Sequence, residues 1–363
     1  MTGRVALVTE IAAPYRIPVF NELASLLDGR LEVIFISESE SRRDWRLDDS
    51  AVRFEYQVLG GAQFSIPLRG DRQPVYLARP LLPRLVGGDF QSIIVGGWNH
   101  LECYQALAFA KARSRRFVLW SETPLLGALP HRPARNRMKR IVVRSADAFV
   151  VPGPSAGRYL EALGAPARSI HEAPNTVDVV FWGDEPGELE PSPQRTLLYS
   201  GRLVASKGVD LALEAFGASQ LRETWRFVIA GEGPERAPLE RLAPPGVEFV
   251  GPQTPVELRR LYRAADLLVF PSRYDPWGLV LNEASCAGLA ALASDGAGAT
   301  RDLLTDGVDG LVVPAGSVDA LRDAMDVVAR DPGLPERLGA AARRIATTHT
   351  PAACAAGLAE AAL

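Results

Sequence analysis

The sequence predicts an α/β protein of two domains, each a doubly wound parallel sheet, with a cleft between the two sets of strand ends. Short apolar strands alternate with amphipathic helices from one end of the chain to the other, the pattern of a parallel sheet covered by helices on both faces. At 363 residues the chain exceeds what one core comfortably holds. Midway, Gly183-Asp-Glu-Pro-Gly-Glu-Leu-Glu-Pro-Ser-Pro193 is acidic, rich in Pro and Gly and without periodicity, so it reads as a linker. The domains are therefore set at 1–183 and 184–345.

In the first half, strands are expected near Val5–Thr9, Leu31–Ser37, Ser92–Gly96, Phe117–Trp120 and Ala148–Val151. A helix over Val19–Leu27 puts Phe20, Leu23 and Leu27 on one face, and Asp28-Gly29 ends it. Residues 38–90 carry many charges with several Gly and Pro, which suggests a β excursion and a mobile loop. The alternation restarts with Thr196–Ser200, Phe227–Ala230, Val247–Val250, Leu267–Phe270, Ala290–Ala293 and Leu311–Val313. The closing stretch, Pro351 to Leu363, is an Ala-rich helix.

Composition removes several classes of function. No segment is long and apolar enough to span a bilayer, and the amino terminus runs straight into a strand without a secretory h-region, so cytoplasmic residence is expected. Cys103, Cys286 and Cys354 are too few and too scattered for a disulfide framework or a zinc site. Nucleic acid is not an expected partner, because no basic stripe is interleaved with exposed aromatics and the pI is near 5.9. Charge is nevertheless uneven: +5 over residues 1–183 and −8 over the remainder. The basic excess concentrates in Arg132, Arg135, Arg137, Lys139, Arg140 and Arg144, with Ile141, Val142 and Val143 interleaved. Such a run can face an anionic membrane as a peripheral contact or a phosphorylated acceptor, and it can equally be a solvated helix face.

The most informative residues are Asp275-Pro-Trp-Gly-Leu-Val-Leu-Asn-Glu283. They follow the apolar run Asp266-Leu-Leu-Val-Phe270, which reads as a buried parallel strand, and Pro276 and Gly278 break the chain before a helix begins at Leu279. One carboxylate thus sits on the loop at a strand's carboxyl end, a second in the first turns of the next helix, and the N–H groups of Gly278, Leu279 and Val280 lie between them. Open α/β sheets bind phosphorylated ligands at such helix starts. Asp275 can reach hydroxyls beside the phosphate and Glu283 can accept from a ribose, which suits a nucleotide sugar.

Tyr199-Ser-Gly-Arg-Leu-Val-Ala-Ser-Lys-Gly208 supplies the complementary charge. Lysine is rare here: of 40 basic residues only Lys111, Lys139 and Lys207 are lysines. Arg202 and Lys207 bracket a loop, with Gly201 allowing close backbone approach. One cation ~4 Å from a phosphate at an effective dielectric of ~20 gives roughly 4 kcal/mol of gross attraction. Two cations and a helix start can therefore replace a metal ion, and the absence of any Asp-X-Asp triplet agrees with a site that needs neither metal nor other cofactor.

These residues resemble the retaining glycosyltransferases of family 4, whose two-carboxylate motif usually reads Glu-Pro-Phe-Gly followed four residues later by Glu. Here the first acid is Asp275 and the aromatic is Trp277. The resemblance implies the GT-B fold, a nucleotide-sugar donor in the second domain, a hydroxyl acceptor in the first, and retention at the anomeric carbon. It implies phosphate contacts for Arg202 and Lys207, and donor contacts for Gly231 in Ile229-Ala-Gly-Glu-Gly-Pro-Glu235 and for Val250. It also implies that the last helix, about 346–363, packs back on the first domain.

The first-domain match is looser. Ile11-Ala-Ala-Pro-Tyr-Arg-Ile-Pro18 replaces a Gly-rich loop and offers Tyr15 and Arg16 to the acceptor. Gly96-Gly-Trp-Asn-His100 and Trp120-Ser-Glu-Thr123 follow two further strands. Better-known relatives carry a histidine near the latter place; here Ser121 and Glu122 occupy it, so Glu122 or His100 is expected to orient the acceptor hydroxyl or the scissile sugar. A sugar-nucleotide hydrolase or phosphorylase, or a nucleotide-sugar-binding protein without catalysis, is the alternative. A Rossmann oxidoreductase is disfavoured because no Gly-X-Gly-X-X-Gly follows a strand.

Overall fold

A computed structural model describes residues 3–38, 48–68, 71–126, 133–183 and 194–363. The linker expectation at 184–193 and residue Arg132 of the basic run lie outside the described residues.

Two compact units divide the chain. The first contains strands β1 (Arg4–Thr9), β2 (Leu31–Phe35), β3 (Glu55–Val58), β4 (Gly61–Leu68), β5 (Asp71–Ala78), β6 (Phe90–Gly96), β7 (Arg116–Trp120), β8 (Ala148–Val151) and β9 (Ile170–Glu172). Among the described residues seven of these form one sheet in the order β3-β2-β1-β6-β7-β8-β9, every described pairing parallel, while β4 and β5 make a separate two-stranded sheet. Among the described residues of 38–90 the expected β excursion is present, as strand β3 and the separate β4–β5 sheet. β3 sits at the sheet edge, where Tyr56 and Val58 pack on the core and alternate with exposed Glu55 and Gln57. β9 escaped the sequence reading because it is three residues long and half exposed.

The sheet is buried on both faces, as a parallel sheet requires. Along β1, Ala6 and Val8 join the core beneath helices Leu101–Ala112, Pro133–Ser145 and Pro154–Leu163, while Val5 and Leu7 face helix Ile17–Leu26 and the C-terminal helix. That last helix is Pro351–Ala362; residues 346–348 end the preceding helix, Leu334–Thr348, so it begins five residues later than 346. Thr350 caps it by accepting from the N–H of Ala353 at 3.1 Å. At its other end Arg116 Nε donates to the carbonyl of Ala361 at 2.8 Å. Its small side chains permit close approach: a Cβ on Gly357 would lie 2.0 Å from the carbonyl oxygen of Glu172.

The second unit is formed by Val177–Thr348, so the break falls at Thr176/Val177, ahead of the 183/184 boundary read from the linker. Asp178 explains the difference. Its Oδ1 accepts from the N–H groups of Val180 and Phe181 at 3.1 and 3.0 Å, which starts a short helix, Val179–Gly183. That helix packs into the second core through Trp182. Strands β10 (Arg195–Ser200), β11 (Trp225–Ala230), β12 (Val247–Gly251), β13 (Leu267–Phe270), β14 (Ala291–Ser294) and β15 (Leu311–Val313) form a parallel sheet ordered β12-β11-β10-β13-β14-β15.

Gly357→Ala should lower stability by about 1–3 kcal/mol, because the new methyl must push against a backbone carbonyl. Alanine's better helix propensity alone would add ~1 kcal/mol. A urea midpoint unchanged or raised would contradict the close packing described.

Candidate active site

In the second unit the strand order reverses between β10 and β13, which lie side by side with Leu197 opposite Leu267. Their following loops leave in opposite directions, and ligands of open α/β sheets bind at such a switch point. Backbone and side chain fasten the two loops together. The N–H groups of Arg273 and Tyr274 both donate to the carbonyl of Ser206, at 2.9 and 3.2 Å. Arg273 also forms two bonds to the Asp210 carboxylate, at 2.7 and 2.6 Å. Those bonds hold the Asp210 carboxyl below its ordinary range.

Within this frame Lys207 Nζ is paired with Asp275 Oδ2. Asp275 is 9% exposed and held from every side. Its N–H donates to Gly296 at 3.0 Å, its carbonyl accepts from Gly298 at 3.3 Å, and Oδ1 accepts from the N–H of Trp277 at 3.3 Å. Trp277 is buried, and its ring N–H donates to Asn282 Oδ1 at 2.9 Å. The aromatic of the motif therefore anchors the loop to the helix that follows. Gly278 leaves no room for a side chain, since a Cβ there would lie 2.6 Å from the Phe270 ring. Leu279 caps the helix Val280–Ala287, one residue later than expected, and the first N–H groups of a helix have no intrahelical acceptors.

Glu283, in the first turn, is part-buried and accepts from the Tyr262 hydroxyl at 2.7 Å. Burial pushes its carboxyl up to about 7, and the Tyr262 hydrogen bond offsets only part of that. Arg202 is half-buried, and its carbonyl accepts from Tyr199 Oη at 2.9 Å. Gly201 and Gly231 meet backbone to backbone: Gly231 has φ +148°, and a Cβ on it would stand 1.8 Å from the carbonyl oxygen of Gly201. That loop packing is a structural reason for the glycine, separate from any ligand. Val250 is half-buried near the end of β12, and its carbonyl accepts from Gln253 at 2.9 Å.

In the first unit the order reverses between β1 and β6. The two loops there are joined by His100 Nε2 and Glu10 Oε1, 2.6 Å apart. Burial by itself would lower the pKa of His100, but the Glu10 hydrogen bond and charge, with Glu102 adding, raise it above the ordinary 6.5. Arg16 lies over the Trp120 ring at 4.4 Å and 5.8 Å from the Tyr15 ring. It donates to Thr9 Oγ1 at 3.2 Å and pairs with Glu122 at 2.6 Å. Burial is the largest influence and opposes the charge on Arg16, but Glu122, Tyr15, Glu10 and Cys354 together outweigh it, and the guanidinium holds its proton more firmly than usual. Trp120 Nε1 and Ser121 Oγ are buried without a hydrogen-bond partner among the described residues.

The expected residues thus fall into two groups. Gly201, Arg202, Lys207, Gly231, Asp275, Gly278, Leu279, Val280 and Glu283 gather at one switch point, with Val250 near the end of β12. Tyr15, Arg16, His100 and Glu122 gather at the other. Neither His100 nor Glu122 stands as a free base, since each is already paired. Glu10, Tyr262, Asp210 and Arg273 were missed. Glu10 had a signal, being a carboxylate one residue beyond a strand end; the other three are defined by contacts across the fold. Among the described residues no group of three or more His, Cys, Asp or Glu could hold a metal ion, and no described helix is long and apolar enough to cross a membrane.

Residues 181–345 match the family model of glycosyl transferases group 1. The chain is similar to the alpha-D-kanosaminyltransferase of Streptomyces kanamyceticus, 35% identical over 150 residues that are 39% of this chain and 38% of that one. It is similar to the D-inositol 3-phosphate glycosyltransferase of Kribbella flavida, 32% identical over 238 residues that are 59% and 55% of the two chains. The chain spans between two-fifths and just over half the length of these curated relatives. Among solved structures, Anabaena Alr3699/HepE in complex with UDP and glucose superposes with a TM-score of 0.75 at 17% identity, covering 99% of this chain and 98% of that one. Likeness at that identity carries the fold: this is a GT-B chain of two Rossmann-like parallel-sheet units, the second of which bears the group 1 match.

Proposed function

We propose that the protein is a retaining glycosyltransferase of family 4, moving a sugar from a nucleotide-sugar donor to a hydroxyl acceptor without a metal ion. The observation that carries this reading is the meeting of Lys207 with Asp275 at the second unit's switch point, beside the helix start that bears Glu283. Lys207, Arg202 and the N–H groups of Gly278, Leu279 and Val280 would receive the diphosphate. Glu283 would accept from the ribose hydroxyls, and Asp275 from hydroxyls of the transferred sugar.

The reaction needs charge stabilisation more than a strong base. As the bond from the anomeric carbon to the phosphate oxygen breaks, its electron pair passes to that oxygen, and the two cations offset the added charge. The acceptor hydroxyl attacks from the same face, and its proton passes to the departing phosphate oxygen. His100, paired with Glu10, and Glu122, held by Arg16, would position the acceptor, with Tyr15 adding contacts.

The Lys207–Asp275 pair has a consequence for binding order. Lys207 must change partner, from Asp275 to phosphate, before Asp275 can read the sugar.

UDP-glucose is the first donor to test, followed by a panel of other nucleotide sugars ranked by thermal shift, since binding raises apparent stability. Release of nucleoside diphosphate only after an acceptor is added is the expected result. Release without acceptor would indicate a hydrolase, and binding without release a non-catalytic protein. Lys207→Ala should cut turnover more than about tenfold, which corresponds to roughly 1.4 kcal/mol of transition-state stabilisation. Asp275→Asn should abolish most turnover yet tighten nucleoside diphosphate binding, because Lys207 no longer has to be released; weaker binding would contradict the exchange of partners.

Affinity should also depend on Glu283's charge. Its carboxyl ionises near pH 7 in the free protein, so below that pH a proton must be removed before ribose hydroxyls can donate to both oxygens. Affinity for the nucleoside diphosphate should fall as pH drops below about 7, by up to ~10-fold per unit. Stability runs the other way. The folded state keeps a proton that the unfolded chain loses near 4.5, so this group's contribution is present at low pH and is lost as pH rises through about 7. Calorimetric titration of Glu283→Gln should show weaker binding and a flattened pH profile; an unchanged profile would remove Glu283 from the site.

A further inference from the structure

The helix Pro133–Ser145 carries none of the switch-point residues, yet its charge is one-sided. No Asp or Glu occurs between Glu122 and Asp147. On the helix, Val142 and Val143 are buried in the core. Lys139, on the same side, sits 4.5 Å from the Trp98 ring centre and 5.1 Å from that of Tyr159, and it donates to the Tyr159 hydroxyl at 2.7 Å. Lys139 is thus spent on anchoring the helix. At 100° per residue the remaining positions form one continuous outward arc. Arg140, Arg144 and Arg137 stand side by side, with Ile141 and Met138 on one flank, and all five are exposed, Ile141 by 51% and Met138 by 50%. None of the three arginines is paired with a carboxylate among the described residues, whereas arginines elsewhere in the unit, such as Arg4, Arg16, Arg84 and Arg115, are.

An unneutralised cationic ridge with an apolar shoulder contributes little to folding. Its chemistry matches an anionic bilayer surface, where headgroup phosphates face guanidinium groups and the adjoining aliphatic side chains enter the acyl boundary. Position supports the same partner. Trp98, which touches Lys139, lies in the loop that carries His100, and the helix after that loop begins with Leu101, 65% exposed. Through Lys139 the helix is thus anchored to the loop that carries His100, and Leu101 adds an exposed apolar residue beside that loop.

We propose that this helix face docks the protein on anionic lipid bilayers, bringing the first unit's switch point to the membrane surface. The docking does not depend on sugar transfer, so either reading can fail alone.

The test is co-sedimentation of the full chain with vesicles of phosphatidylcholine alone and of phosphatidylcholine mixed with phosphatidylglycerol, without donor or acceptor. Binding is expected only to the mixed vesicles, and it should weaken steeply with salt. The triple variant Arg137→Gln, Arg140→Gln, Arg144→Gln should lose on the order of a hundredfold in partitioning, from about 1 kcal/mol per cation. The corresponding triple lysine variant should retain most binding, and Met138→Ser with Ile141→Ser should weaken it further at high salt, when charge is screened. Thermal midpoints and nucleoside diphosphate affinity should match wild type in all of these variants. Equal partitioning of the Gln variant and wild type, or no partitioning of wild type at low salt, overturns the proposal. Capture of duplex DNA in preference to mixed vesicles would overturn it also, since the ridge would then be a general polyanion surface.

Discussion

Most of the second unit's candidate chemistry depends on one physical constraint: two loops from adjacent parallel strands must be held in register although neither is part of the sheet. The Arg273–Asp210 fork and the two N–H groups converging on Ser206 do this. Parallel strands cannot be joined by a short turn, so β10 and β13 arrive at the switch point from distant parts of the chain. Without cross-links their loops would sample many relative positions, and Lys207 would meet Asp275 only rarely. The ion pair between them is thus a consequence of the clamp as much as a cause of local order.

The same device appears in the first unit with different chemistry. Glu10 and His100 join the loops after β1 and β6, and Arg16 joins the loop after β1 to the strand end that carries Glu122. In both units an acid and a base that look like reagents when taken singly are first of all partners. Pairing lowers the cost of burying each charge, since an unpaired buried ion is far more expensive than a paired one. It also keeps both groups oriented, ready for exchange when a ligand offers a better partner. Glu283 differs. It is part-buried, its carboxylate bonds a tyrosine hydroxyl among the described residues, and its carboxyl rises accordingly, so its charge is left for a ligand's hydroxyls to draw out.

Several elements were legible from residues alone. β8, β13 and β15 match the expected strands at both ends, and the remaining strands of both main sheets, other than β3 and β9, were located within two residues at each end. A buried parallel strand is a short apolar run with turn residues at its ends, and that pattern needs no knowledge of its neighbours. The motif at 275–283 was legible for a related reason: a strand end, a break and a helix start are local events. For β3, β4 and β5 only a β excursion somewhere in 38–90 was expected, without bounds, and the three-residue β9 is too short to show a pattern.

What the sequence determined is which groups exist and on which loop ends they stand: two carboxylates eight residues apart, a rare lysine, and an acid-free basic run. Tertiary structure alone decided their partners. Whether Asp275 faces solvent or Lys207, whether His100 is free or bound to Glu10, and which arginines of 137–144 remain unpaired all depend on contacts between segments far apart in the chain. Charge state follows from those contacts, because burial and neighbouring charge set a pKa and neither is written in local sequence.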